Sequence, residues 1–227
     1  REGKREAYMA RLFKSVLQPG MIVLDIGSYI GYYALLAAQR VGDCGRVLAF
    51  EPDPHSFFYL SLNIKTNGLD SIVTPIQKAV SDQAGHKFFC IREDDRSGSS
   101  LFNFERSAKV TTVECSQLDE FLDGFFGDKK RGVDIIKMDI EGAELHALKG
   151  MERTLACASS RLIMFIECNP SALQAAGGSA AILVDRLKEL GFIIMVIDEY
   201  NCRLSPISSG IESVKYVNLY CKREAMP

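Results

Sequence analysis

The sequence predicts an α/β fold built on a mostly parallel β-sheet with helices on both faces. Two observations lead to this prediction. Short apolar runs rich in Val, Ile and Leu alternate with segments of helical periodicity along most of the 227 residues, as they do where helices join parallel strands. Several of these runs also end at an acidic residue or a glycine, where such sheets bind ligands. The composition does not shift along the chain, so we expect a single domain over residues 1–227.

The first part of the chain predicts three helices and two buried strands. Apolar residues recur at helical spacing until the sequence Gln-Pro-Gly interrupts them, which predicts an N-terminal helix within residues 1–18. Two buried strands and the helix that joins them are predicted at 21–26, 47–50 and 31–41. The next helical pattern ends at Asn67 and Gly68, a common helix stop.

The third predicted strand, residues 72–80, contains Pro75. Because proline has no amide hydrogen, a strand that contains it belongs at a sheet edge. The β-like runs KFFCIR, SLFNF and KVTTVEC then surround a polar stretch. They predict a β-rich insertion with a mobile loop over residues 86–115.

The alternation of strands and helices resumes after the insertion. Helices are predicted at 118–126, from about Ala143 and at 180–190, and strands at 133–138, 162–166, 192–197 and 216–221. The last two strands have no helix between them, which favours an antiparallel strand at one edge of the sheet.

Composition and charge argue against several classes of function. The net charge of -2 gives no positive field of the size that nucleic acid binding requires, so we expect no nucleic acid partner. The seven cysteines include no CxxC pair, which argues against a zinc site or a disulfide framework and favours a reducing, cytoplasmic compartment. No apolar stretch is long enough to cross a bilayer, and we expect no membrane association.

The turn after the first predicted strand has the residues of a cofactor site. Asp25, Gly27 and Gly31 form the pattern DxGxxxG. Gly27 permits backbone angles closed to other residues, and Gly31 lets the backbone approach a ligand at the helix start. A dinucleotide site uses GxGxxG to hold a pyrophosphate, whereas an acid beside the turn suits a cation such as a sulfonium. The pattern therefore favours S-adenosylmethionine over NAD, with an ordinary strand-to-helix turn as the alternative.

The ends of the next two strands extend this site. Glu51 ends the second strand, where a carboxylate can accept hydrogen bonds from both hydroxyls of a ribose. Val80 and Ser81 end the third strand and would lie beside the adenine, although they also fit an ordinary strand exit. The residues predicted to bind the cofactor are Asp25, Gly27, Ser28, Tyr29, Gly31, Glu51, Pro52, Val80, Ser81 and Asp139.

A second group of acids follows the fourth and fifth strands. Asp139 and Glu141 come after the fourth strand, and Glu167 after the fifth. A carboxylate in a partly dry site has a raised pKa, which suits it to take the proton of an acceptor hydroxyl. We expect Asp139 to be the catalytic base or orienting group, with Glu141 and Glu167 as further candidates. Acids at a helix start can instead cap the helix.

A magnesium ion is a weaker alternative for two of these acids, Asp139 and Glu167. With Asn169 they form an all-oxygen set of the kind that Mg²⁺ prefers. Two carboxylates and an amide are, however, too common to predict a metal site.

These motifs resemble those of the FkbM-type methyltransferases, Rossmann-like enzymes that use S-adenosylmethionine. The resemblance is specific in VLDIGSYIGYYAL, AFEPDP, LNIKTNG and DIIKMDIEGAELHALKGMERTL, and it extends over most of residues 17–221. It implies a Rossmann-like three-layer sandwich with a seven-stranded sheet in the order 3-2-1-4-5-7-6, with strand 7 antiparallel. This order also puts the third strand at an edge.

The resemblance implies a function and a role for each matching residue. Asp25, Gly27 and Gly31 would border the methionine part of the cofactor. Glu51 would bind the ribose, and Asp139 would lie at the reaction centre. The implied reaction is O-methylation of a hydroxyl on a sugar or another secondary metabolite. NPPY, a motif of amino-group methylation, is absent after the fourth strand, where MDIEG stands instead.

The leading hypothesis is thus a methyltransferase whose small-molecule hydroxyl acceptor lies over strands four and five, under the insertion. Two other classes remain open at this stage. One is an NAD-dependent oxidoreductase, and the other is a non-catalytic module that keeps the fold and serves a partner protein.

Overall fold

The computed structural model describes residues 6–102, 109–127, 132–158, 161–207 and 210–223. The strands are β1 Ile22–Ile26, β2 Arg46–Phe50, β3 Val73–Ile76, β4 Ala79–Val80, β5 Gly85–Ile91, β6 Lys109–Ser116, β7 Ile135–Met138, β8 Ile163–Cys168, β9 Phe192–Asp198, β10 Arg203–Pro206 and β11 Val217–Arg223. The helices are α1 Ala7–Val16, α2 Tyr32–Val41, α3 Pro54–Thr66, α4 Leu118–Phe126, α5 Glu144–Lys149, α6 Glu152–Cys157, α7 Pro170–Ala175 and α8 Ala180–Glu189.

The main sheet has the strand order β10-β9-β11-β8-β7-β1-β2-β3. The five strands from β8 to β3 are parallel to one another, and β11 is antiparallel to both β8 and β9. For the seven predicted strands this is the expected order, 3-2-1-4-5-7-6 with strand 7 antiparallel. Pro75 lies in the edge strand β3, as predicted. The antiparallel strand β11 lies between β8 and β9, where the expected order places strand 7.

The predicted number of seven strands is too low by one. β10 pairs antiparallel with β9 and forms the second edge of the main sheet. Its sequence, RLSP, has one large apolar residue, and all four residues are exposed or half-buried. It therefore lacks the apolar run that predicts the other strands.

The predicted strand 72–80 divides into two strands of different sheets. β3 pairs with β2, whereas β4 pairs with β6 in a three-stranded sheet of order β4-β6-β5. β5 and β6 are antiparallel neighbours and form the β-rich insertion, close to the predicted residues 86–115. In the predicted run at 100–104, Ser100 makes an isolated bridge with Cys90, and residues 103 and 104 lie outside the described residues.

The single helix predicted from about Ala143 is two short helices, α5 and α6. Gly150 lies between them, where a Cβ atom would be 2.0 Å from the carbonyl oxygen of Ser81. The chain there passes too close to the end of β4 for any larger residue. The short helix α7, capped by Asn169, has no counterpart among the predicted elements. Nowhere in the described ranges is there a helix with both the length and the apolar character needed to span a bilayer.

Two hydrophobic cores lie on opposite faces of the main sheet. Helices α1, α2 and α3 pack on one face, where the buried Phe13 ring makes edge contacts with Tyr33 and Phe165 at centroid distances of 5.2 Å. Helices α4 to α8 pack on the other face. The neighbouring residues Val23 and Leu24 of β1 belong to opposite cores, as expected for a strand buried on both sides. The predicted three-layer architecture is confirmed.

Candidate active site

A cleft of about 190 Å³ lies at the carboxyl ends of β1, β2 and β7. The ends of parallel strands meet at one rim of the sheet, which is where open α/β sheets bind ligands. Ile26, Phe50 and Lys137 line it from the three strands. Among the predicted cofactor-binding residues, those that line the cleft are Gly27, Ser28, Tyr29, Glu51, Pro52, Val80 and Asp139.

The turn between β1 and α2 is held against the neighbouring strands by its backbone. The amides of Gly27 and Ser28 both donate to the carbonyl oxygen of Phe50, at 3.0 and 2.9 Å. Gly27 has φ +79°, and a Cβ atom on it would lie 1.8 Å from the carbonyl oxygen of Asp139. Only glycine fits both the angle and the space. The turn therefore packs directly on the loop after β7.

Three of the predicted cofactor residues do not line the cleft. Gly31 has φ +95°, and a Cβ atom there would come within 2.8 Å of the side chains of Leu60 and Leu35. The two close atoms are the ends of flexible leucine side chains, so it is the positive φ that favours glycine at this position. Ser81 is buried and accepts a hydrogen bond from Lys87 Nζ at 2.7 Å. Asp25, the third, lies beneath the turn with only 1% of its surface exposed.

Glu51 is held at the wall of the cleft by two backbone amides. Its Oε2 accepts from the amide of Tyr29 at 2.8 Å, and its Oε1 accepts from the amide of Asp53 at 2.9 Å. Burial raises the pKa of Glu51 to about 8, although both amides favour the ionised form. Each carboxylate oxygen has a second lone pair, so Glu51 can accept further hydrogen bonds from a ligand in the cleft.

Lys137 is a functional candidate that sequence reasoning missed. Its Nζ donates to the carbonyl oxygen of Gly27 at 3.1 Å and to Asp139 Oδ2 at 3.2 Å, and it lies 3.8 Å from Asp25 Oδ1. Burial favours the neutral amine, but Asp139 and Asp25 raise the pKa of Lys137 above its usual value. Lys137 therefore stays cationic. The available signal was a lysine within the otherwise apolar strand sequence IIKM.

Asp25 makes no hydrogen bond through either carboxylate oxygen in the described structure. Burial raises its pKa, and the nearby Lys137 ammonium opposes this effect. Its position follows from the sheet, since Asp25 of β1 is directly opposite Lys137 of β7 in the register. Asp25 does not line the cleft, so it influences the cleft through the charge and position of Lys137.

The predicted catalytic acids come together beside the cleft. Oxygen atoms of Asp139, Glu141 and Glu167 lie within 4.8 Å of one another, and Glu141 Oε2 accepts from Asn169 Nδ2 at 2.9 Å. Burial and then the neighbouring carboxylates raise the pKa of both Glu141 and Glu167. Glu141 and Glu167 do not line the cleft itself, but their oxygens lie close to Asp139, which does. Their oxygens are of the type that Mg²⁺ binds, but three acids alone do not establish a metal site.

The side chain of Glu144 is hydrogen-bonded to the loop that precedes α5. Its Oε1 accepts from the amides of Ile140 and Gly142, both at 3.3 Å. The side chain is buried, and burial raises its pKa to about 8. These contacts are those of an acid that stabilises a loop and helix start.

The N-terminal helix brings a further acid to the cleft. Glu6, which precedes α1, lines the cleft and accepts from Tyr33 Oη at 2.8 Å and from Asn218 Nδ2 at 3.3 Å. Asn218 of β11 is opposite Glu167 of β8 in the register. Sequence reasoning missed these contacts because their partners are distant along the chain.

The β-rich insertion forms another wall of the cleft. Phe89, Arg96 and Leu101 line it from the insertion, close to Val80. The insertion therefore contributes to the same cleft as Glu51. The insertion also contacts the loop after β7, where Ser100 Oγ donates to the carbonyl oxygen of Glu141 at 2.6 Å. That the acceptor lies over strands four and five, under the insertion, stays a prediction.

The chain matches the family model described as "Methyltransferase FkbM domain" over residues 25–194. Among curated proteins it is similar to the hexuronic acid methyltransferase AglP of Haloferax volcanii, with 27% identity over 155 residues. This match covers 68% of the chain and 60% of that relative. The chain thus aligns with only part of the length of the relative.

Two solved structures have the same fold. A SAM-dependent O-methyltransferase of Thermotoga maritima is 16% identical with a TM-score of 0.53, over 99% of this chain and 66% of that one. An rRNA methylase of Streptococcus thermophilus is 12% identical with a TM-score of 0.54, over 96% of this chain and 95% of that one. At these identities the similarity establishes the fold.

Proposed function

Since the chain belongs to the FkbM methyltransferase family, which uses S-adenosylmethionine, we propose that it binds this cofactor in the cleft and methylates a hydroxyl of a small molecule. The acceptor would be a sugar or another secondary metabolite. The hexuronic acid methyltransferase among its relatives supports a sugar, and the net charge of -2 favours a small molecule over a nucleic acid.

The observation that carries the proposal is the position of Glu51. Its carboxylate lies at the end of β2, fixed by the amides of Tyr29 and Asp53, with lone pairs left for ribose hydroxyls. Three acids surround Lys137, namely Asp139, Asp25 and Glu6. The other cations that line the cleft, Lys78 and Arg96, pair with Glu114 and Asp53. Such a site suits a cationic sulfonium better than a pyrophosphate, which favours S-adenosylmethionine over the NAD considered from the sequence.

The cofactor supplies an electrophilic methyl group when bound, and the protein must place and deprotonate the acceptor. Asp139 lines the cleft, and Lys137 contacts only its Oδ2, which leaves Oδ1 to accept the hydrogen of an acceptor hydroxyl. Lys137 also holds the Gly27 carbonyl, so it joins the turn after β1 to the acid that orients the acceptor. Such alignment of nucleophile and methyl group contributes to the rate together with proton transfer.

The test has two stages. Isothermal titration calorimetry with S-adenosylhomocysteine should give saturable binding, whereas NADH should give none. Transfer of radiolabelled methyl groups is then measured on a panel of hexuronic acids, neutral sugars, catechols and purified RNA. Label on a sugar or another small hydroxyl compound is expected. Label confined to RNA would refute the acceptor, and absence of S-adenosylhomocysteine binding would refute the cofactor.

A further inference from the structure

The insertion supplies an apolar wall at one end of the cleft. Phe89 and Leu101 are 5% and 6% exposed and pack in one cluster with Ala79 and Ala143. These four residues and Pro52 all line the cleft. Flat aromatic ligands such as a nucleobase bind between apolar surfaces of this kind. The apolar wall is next to Glu51, the residue assigned to the ribose.

The tip of the insertion is fastened to the loop after β2 by an ion pair. Arg96 NH1 donates to Asp53 Oδ2 at 2.7 Å, and the Asp53 side chain is only 2% exposed. Burial opposes ionisation, but the hydrogen bonds from Arg96 and Ser56 lower the pKa of Asp53 below its ordinary value. The pair is thus a charge-assisted hydrogen bond with one buried partner, which is stronger than an exposed ion pair.

The segment that carries Arg96 is stabilised by hydrogen bonds within the segment itself. Cys90 and Ser100 exchange backbone hydrogen bonds of 2.8 and 3.0 Å at its base. At its tip Asp95 accepts from the backbone and hydroxyl of Ser97. Arg96 therefore lies in an ordered turn. Its ion pair with Asp53 joins this turn to the loop after β2.

We propose that Arg96 and Asp53 form a clasp that holds the insertion over the nucleoside half of the cofactor. The insertion then belongs to the cofactor site, and its release controls how fast the nucleoside leaves. This inference rests on the proposed function. Arg96 also lines the cleft, but the proposal assigns it the role of a positioning residue, because its charged partner is Asp53.

The experiment measures dissociation of S-adenosylhomocysteine and of 5′-methylthioadenosine by stopped flow in the full chain. Loss of a charge-assisted hydrogen bond in Arg96→Met should raise the dissociation rate of both ligands by about 10-fold to 100-fold. The two factors should agree, because both ligands contain the same nucleoside. A distortion that spreads to the amino acid end of the site would affect S-adenosylhomocysteine more.

Asp53→Asn provides the second variant. Asparagine is as good a helix N-cap as aspartate, so α3 should keep its start while the ion pair is lost. The double variant Arg96→Met with Asp53→Asn should dissociate ligand no faster than the more affected single variant. Additive effects would mean that the two residues act separately and would overturn the clasp.

Arg186→Met is the matched control. Arg186 makes an ion pair of the same 2.7 Å length with Glu152, and neither residue lines the cleft. Its dissociation rates should equal those of the wild type. Rates within about twofold of wild type in Arg96→Met would refute the clasp. If the wild type binds neither ligand, the proposed function itself fails, which is a different result.

Discussion

Replacing Glu51 by glutamine tests the proposed cofactor site most directly. Both carboxylate oxygens accept backbone hydrogen bonds, from Tyr29 at 2.8 Å and from Asp53 at 2.9 Å. In Glu51→Gln the amide oxygen replaces one acceptor, but the amide nitrogen faces the second backbone N–H with hydrogens of its own. One buried backbone donor then loses its partner, and the negative charge near the ribose hydroxyls disappears.

The expected magnitude follows from these contacts. Loss of a hydrogen bond to a charged group costs about 1.5 to 3 kcal/mol, which weakens binding by about 10-fold to 150-fold. Burial raises the pKa of Glu51 to about 8, and the ionised form is the better acceptor. Wild-type affinity should therefore weaken as the pH falls below about 8, by no more than about 10-fold to 150-fold in total, and become constant above about pH 8. Glu51→Gln should show no such pH dependence.

Calorimetry with 5′-methylthioadenosine between about pH 6 and about pH 9 is the suitable assay, because no group of this ligand titrates in that range. Glu152→Gln serves as the control, since Glu152 is an exposed acid that does not line the cleft. It should bind like the wild type. Equal dissociation constants for Glu51→Gln and wild type at about pH 8.5 would refute the ribose assignment. A wild-type affinity that does not change with pH would refute the link to ionisation.

Three further predictions concern the acids and the lysine of the site. Asp139→Asn should leave the dissociation constant of S-adenosylhomocysteine nearly unchanged and lower methyl transfer by about 100-fold or more; equal turnover would remove Asp139 from the mechanism. Lys137→Met should lower the free energy of unfolding by about 3 to 5 kcal/mol, because Asp25 stays buried without its counter-ion. Urea denaturation should show partial recovery when Asp25→Asn is added, and no recovery would contradict the pairing. The pKa of Glu144 is raised from 4.5 to about 8, so the stability that its proton confers is complete below about pH 4.5 and is lost as the pH rises through about 8. Calorimetric unfolding should therefore show that wild type loses roughly 2 to 3 kcal/mol more than Glu144→Gln between about pH 6 and about pH 9, and parallel curves would show that Glu144 does not titrate.

The strand ends were predictable because their signals are local. Asp25, Glu51 and Asp139 each follow an apolar run, and the ends of parallel strands meet at one rim whatever the details of packing. The strand β10 could not be predicted, because the four residues RLSP carry almost no apolar signal and pair only at the edge of β9. The break between β3 and β4 was missed for a related reason, since it is set by pairing with β6 in the second sheet.

Several residues of the site depend on contacts that no local pattern indicates. Lys137 faces Asp25 only because β7 lies beside β1 in one particular register, and the two residues are 112 positions apart. Arg96 reaches Asp53 across 43 positions. In neither pair do the two residues belong to the same helix or strand. The periodicity of a single element therefore carries no information about either pair.

The sequence alone determined most of the strands and helices, which strand ends carry acids, and that the first turn requires glycine. These features depend on side-chain spacing and backbone angles within a few residues. Tertiary structure decided which charges neutralise one another, which acids have raised pKa values, and that the insertion lies beside Glu51. Those properties depend on burial and on distances between residues far apart in the chain, because Coulomb interaction and desolvation are set by the folded environment.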